Sequence, residues 1–249
     1  MITAEQRGIA DPAVAVLLAS REPAIRQGAL TQLLGRPADD PEVVAARSRI
    51  RRGPLVSGLL AGQEDGGGFG IHPYGKWGGA HWRLVTLADL GVPPETPGLR
   101  EAFSTVLDWV AGEAHVRGVK VIDGRARRCG SQEGNALFVA AHLGAFDEPR
   151  VGQIASSLVR WQWPDGGWNC DVRPEVTHSS FNESLPPLLG LAAYARATGD
   201  SDARAAADRA AEFLLKHRVI YSERTGELAH PSIARLRYPP YWHYERWPR

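Results

Sequence analysis

The stretch WQWPDGGWNCDVRPEVTHSSF, residues 161–181, brings a thiol, a carboxylate and an imidazole close together as Cys170, Asp171 and His178. These are the side-chain types that hold zinc, which takes sulfur, nitrogen and oxygen ligands in a tetrahedron. A fourth ligand would come from elsewhere, and His243 in YWHYE is the candidate. The plainer alternative is structural: Cys170 as a small buried filler, Asp171 bonding its own loop, and His178 capping the next helix. Asp171, His178 and Glu183 also suit general acid–base work, in which a buried carboxylic acid gives a proton and an imidazole takes one. Glu183 stands three residues after Ser180, so it equally completes a capping box at a helix start.

Aromatic residues gather near the starts of helical segments: Trp77, His81, Trp82, Phe181 and Trp242. Their ring faces suit the wall of an apolar cavity and attract a cationic group. The alternative is that they pack between helices as large core residues. The stretch from His115 to Gly134 is basic, with Arg117, Lys120, Arg125, Arg127 and Arg128. Arginines pair with phosphate oxygens bidentately; a solvated surface loop is the plainer reading.

Helices must position these groups, because helical periodicity recurs while strand patterns are scarce. VKVID (119–123) is the best strand candidate. Short helices are expected over 12–19, 22–35, 41–51 and from Pro54 to about Gly62. Segments 78–91, 135–144 and 185–199 are apolar nearly all round, which implies burial on every side. Segments 100–112, 149–163 and 202–218 keep one polar face. An inner ring of helices wrapped by an outer ring produces this alternation, and an α-solenoid is its nearest rival. Pro186 and Pro187 leave two choices for the last inner helix. It starts near Ser184 with both prolines in its first turn, or it starts earlier and is kinked.

Two loops repeat. LLAGQEDGGGFG (59–70) and LVRWQWPDGGWNC (158–170) each carry a Gln, an Asp-Gly-Gly turn and an aromatic residue. Asp65 and Asp165 are one hundred positions apart, which is about two helical hairpins of roughly 45–50 residues each. Gly-Gly permits the positive φ of a tight reversal. The Gln amide can bond the loop or the end of a neighbouring helix. The aromatic residue (Phe69, Trp168) can plug the space between hairpins.

On these residues the chain resembles the squalene cyclase/protein prenyltransferase superfamily, and especially bacterial prenyltransferase-like proteins with HPY-x-KW and GGAHW elements (residues 72–77 and 78–82). The resemblance implies an all-α fold, an α/α toroid of concentric inner and outer helices, over roughly residues 40–245. It makes 1–249 a single domain with 1–40 as helices packed on its outside. It also implies an isoprenoid or other apolar substrate in a central cavity. The departures are specific. No Asp-x-Asp-Asp acid and no Asp-Asp-x-x-Asp magnesium motif occurs, and the place comparable to a zinc-binding Asp-x-Cys reads Val176-Thr177-His178. A non-catalytic binding or assembly protein on the same fold is therefore the alternative, and paired-carboxylate glycan chemistry a third. The chain ends as a further inner helix would start, so the toroid is expected to be incomplete or closed by another chain.

Composition narrows the partners. The net charge of +1 gives no footprint for nucleic acid. Two cysteines allow a single disulfide but no disulfide framework. The first residues lack a secretory pattern, and no apolar run reaches the length of a membrane span. A cytoplasmic protein is expected.

Overall fold

In the computed structural model, residues 11–231, 233 and 234 are described. They are mostly helical, with little sheet. The N-terminal part holds α1 (Pro12–Leu18), α2 (Pro23–Gly28) running into a π-turn (Ala29–Leu33), and α3 (Pro41–Arg47). Each of these helices has proline at its start, where the missing N–H costs nothing. Val14, Leu30, Leu34, Val43 and Ala46 give this part a small core of its own. A 3-10 turn (Ile50–Arg52) leads into α4 (Pro54–Leu60). The buried carboxylate of Glu22 caps α4 by accepting from the Leu55 N–H at 2.8 Å.

The main body follows as α5 (Ala80–Asp89), α6 (Leu99–Val110), α7 (Glu113–Arg117), a hairpin β1 (Lys120–Ile122) and β2 (Arg125–Arg127), α8 (Gly130–Leu143), α9 (Pro149–Trp161), α10 (Phe181–Thr198) and α11 (Ser201–Lys216). Helix α8 lies between α5 and α10. Helix α6 packs on α5 and α8, α9 on α8 and α11, and α11 on α10. So α5, α8 and α10 form one layer, and α6, α9 and α11 cover it. The second layer is amphipathic: α6 buries Phe103, Val106, Leu107 and Val110, while its other face meets water. The expected alternation of two helix kinds is thus present. One helix of the first layer differs from expectation, because α10 has an exposed edge with Leu189 54% accessible. Among the described residues no further helix covers that edge.

Helix α8 begins at Gly130, five residues before the expected Asn135. Its opening, Gly130-Ser-Gln-Glu-Gly134, has the composition of a loop. The glycines are there for contact instead. A Cβ on Gly134 would overlap the backbone between Pro186 and Pro187, and one on Gly190 would come within 2.7 Å of the Gly134 carbonyl oxygen. Helices α8 and α10 therefore meet backbone to backbone. Helix α10 starts at Phe181, so both prolines stand inside it. The expected capping box does not form: Ser180 makes no side-chain cap bond, and Glu183 bonds elsewhere.

Both repeated loops are staples of one design. Gln63 Nε2 donates to the Gly67 carbonyl (3.3 Å) and to that of Gly98 (2.7 Å), the residue that opens α6. Gln162 Nε2 donates to the carbonyls of Gly166 and Ala206, both at 2.7 Å, and so holds α11. Gly67 (φ +83°) and Gly166 (φ +99°) make the reversals, and a Cβ on either would strike α6 or α11. Trp168 is fully buried, and its indole N–H donates to the Leu158 carbonyl at 3.0 Å.

Candidate metal centre

Two backbone bridges position the site. Arg127 pairs with Asn169 in parallel, and the Arg128 N–H donates to the Asn169 carbonyl at 2.9 Å. This sets Cys129, just before α8, beside Cys170. Trp168 pairs antiparallel with Ser180, whose N–H donates to the Trp168 carbonyl at 2.9 Å. That fixes the start of α10 against the same strand-like segment and brings Glu183, in its first turn, to the two thiols. One ligand atom from each of Cys129, Cys170 and Glu183 lies within 4.8 Å of the others. Both cysteines are free and partly exposed, whereas Glu183 is buried.

The surroundings are polar but enclosed. Glu183 Oε2 accepts the Ser131 N–H at 3.1 Å, and the Cys170 thiol donates to Oε1 at 3.8 Å. Burial raises the Glu183 carboxyl to about 7, partly offset by the Ser131 hydrogen bond. The neighbouring Cys170 thiol and burial both push the Cys129 thiol upward, while the Arg128 charge pulls it down. One helical turn along α8, Glu133 is buried with Oε1 held by Arg128 Nε (2.8 Å) and His115 Nε2 (3.0 Å). Glu133 also forms part of the wall of a cleft of about 640 Å³, with Val110, Val116, Ile154 and Trp161. Gln132 hydrogen-bonds the Tyr74 side chain, whose phenol is pushed upward by burial.

Tyr74 belongs to an aromatic cluster at the start of α5. Its ring lies 5.4 Å from His81, 5.1 Å from Trp82 and 5.2 Å from Trp109. His81 and Trp82 are fully buried and belong to the core. Burial lowers His81 to about 3, with His115 adding to the effect. Trp77 is 45% accessible and stacks edge-on against Trp82 at 4.8 Å.

The structure divides the expected site residues. It keeps Cys170 and Glu183 together and adds Cys129. Asp171 turns outward to Arg173, with Nη2 to Oδ2 at 2.6 Å, and this partner holds its carboxyl below the usual range. His178 is exposed; only its carbonyl is engaged, accepting from Asn169 Nδ2 at 2.9 Å. Neither joins Cys170 in a ligand cluster among the described residues. Along the extended 168–171 segment the Cys170 thiol reaches Glu183 of α10, while Asp171 pairs with the exposed guanidinium two residues on. His178 and Phe181 instead line a second cavity of about 700 Å³ with Phe213 and His217. Trp242 and His243 lie outside the described residues.

Cys129, Glu133, His115 and Tyr74 escaped the sequence reading. One signal was available: the chain has only two cysteines. The basic stretch is also resolved. Arg127 is buried, donates to the Asp171 and Val176 carbonyls at 3.1 and 2.8 Å, and covers the Trp163 ring at 4.6 Å. Arg128 serves Glu133. These two arginines hold the fold rather than facing solvent. No family model, curated protein or solved structure matches the chain.

Proposed function

We propose that the chain is an α/α toroid protein of the squalene cyclase/protein prenyltransferase kind, acting on an isoprenoid or other apolar substrate with a zinc ion held by Cys129, Cys170 and Glu183. The observation that carries this reading is the convergence of two sulfurs and one carboxylate oxygen within 4.8 Å. Two thiolates favour a soft or borderline metal over magnesium or calcium, and a carboxylate as third ligand suits zinc. Three protein ligands leave one position open, the pattern of a catalytic rather than a purely structural zinc; such an ion polarises a bound oxygen or activates a bound nucleophile. Two thiolates and a carboxylate exceed the charge of Zn²⁺ by one, and the Arg128 charge, shared with its partner Glu133, offsets part of that excess.

The chain's own groups complete the site. The Ser131 N–H at the start of α8 orients the Glu183 carboxylate. Glu133, clamped by Arg128 and His115, forms part of the wall of the cleft of about 640 Å³, which Glu113, Arg117 and Arg160 also line. The layered helices and the two Gln-Gly-Gly staples support the toroid.

Incubation of zinc-loaded protein with prenyl diphosphates and with linear polyenes, followed by product analysis, tests the activity. Metal-dependent product, lost in Cys170→Ser but kept in Asp171→Ala, is expected. Stoichiometric zinc with neither turnover nor saturable binding of these compounds would overturn the substrate assignment.

A further inference from the structure

Resting on the zinc reading above, we propose that Cys129 and Cys170 are also an oxidation site: peroxide joins them as a disulfide and thereby releases the zinc. The two sulfurs already lie within 4.8 Å of each other. Their segments are tied together by the Arg127–Asn169 bridge and by the Arg128 N–H, which donates to the carbonyl of Asn169 next to Cys170. Closing the bond requires the sulfurs to come from that separation to the roughly 2.05 Å of a disulfide. The Cys129 side chain makes no capping bond with α8 that would resist this. Both residues are partly exposed, so a small oxidant reaches them. No third cysteine exists to compete.

The chemistry balances. One thiolate sulfur attacks a peroxide oxygen, the O–O bond breaks, and a sulfenic acid and a hydroxide result, the hydroxide taking a solvent proton to become water. The second thiolate sulfur attacks the first, the S–O bond breaks, and the leaving hydroxide takes a second solvent proton. The sulfurs lose two electrons and the peroxide gains them, while zinc stays Zn²⁺. The centre then keeps a single protein ligand, Glu183, which is too few to hold the ion.

The test uses the full-length zinc-loaded protein, treated with one equivalent of hydrogen peroxide in the presence of a zinc-sensitive dye. Intact mass and peptide mapping without reductant follow the sulfurs. The expected result is release of one zinc per chain, in step with a Cys129–Cys170 cross-linked peptide, and recovery of zinc binding after reduction. Cys170→Ser should give no cross-link. Glu183→Gln keeps both thiols, so it should cross-link while holding less zinc. A reduced wild-type protein that binds no zinc overturns the centre and the release together, whether or not the cross-link forms. A zinc-loaded protein that yields only sulfinic acid, or that keeps its zinc after cross-linking, overturns the release alone.

Discussion

His81 shows how a single buried side chain couples this core to pH. It is fully enclosed and held neutral, with its protonation pushed down to about 3. The unfolded chain protonates the same group near 6.5, so below that pH the unfolded state binds the extra proton. Stability is therefore full above 6.5 and lost as pH falls from there toward 3. The loss from this group approaches about 1.4 kcal/mol per pH unit. Denaturant unfolding at pH 5 and pH 7 should show that His81→Gln is less stable at pH 7 yet flatter across the interval. An unchanged slope in the variant would contradict this assignment. Of the residues picked from sequence, Cys170 and Glu183 come together because the Trp168–Ser180 bridge holds the first turn of α10 against the 168–171 segment. Asp171 and His178 do not join them, since proximity along the chain says nothing about which side of a strand-like segment a side chain takes.

At the scale of elements, the contact between α8 and α10 is the narrowest joint. Gly134→Ala should cost about 1–3 kcal/mol or more, because the added methyl meets the Pro186–Pro187 backbone and the helices cannot part freely. Gly28→Ala is the control. It is helical with nothing near its missing Cβ, so it should gain about 0.5–1 kcal/mol. Thermal unfolding of both variants measures the contrast, and equal effects would contradict the packing account. Gln162→Ala strips two carbonyls of their donor and should cost about 1–3 kcal/mol in the same assay. The two staples were legible in sequence because a Gln, a Gly-Gly turn and an aromatic residue recur at fixed offsets. The start of α8 was not, because glycine needed for close packing looks the same in sequence as glycine needed for a turn. The hairpin was only half legible: VKVID marked β1, but nothing marked Arg127 as buried.

For the whole molecule, the site is where three separate segments meet: the end of the β-hairpin, the 168–171 segment and the first turn of α10. A metal there links parts of the chain more than forty residues apart. Zinc at one hundred times its Kd should stabilise the fold by about 2.7 kcal/mol, visible as a rise in Tm that a chelator reverses and that Cys129→Ser lacks. The layer order was legible from helix polarity, whereas the meeting of Cys129 with Cys170 depends on a bridge between distant segments that no local pattern encodes. No helix among the described residues is long and apolar enough to cross a membrane. The most direct test of the centre is X-ray absorption at the zinc edge on the reduced, zinc-loaded protein. Two sulfur neighbours near ~2.3 Å and oxygen neighbours near ~2.0–2.2 Å are predicted, with the sulfur shell halved in Cys129→Ser. A shell of nitrogen and oxygen alone, or a wild-type sulfur count unchanged by that substitution, would contradict the assignment.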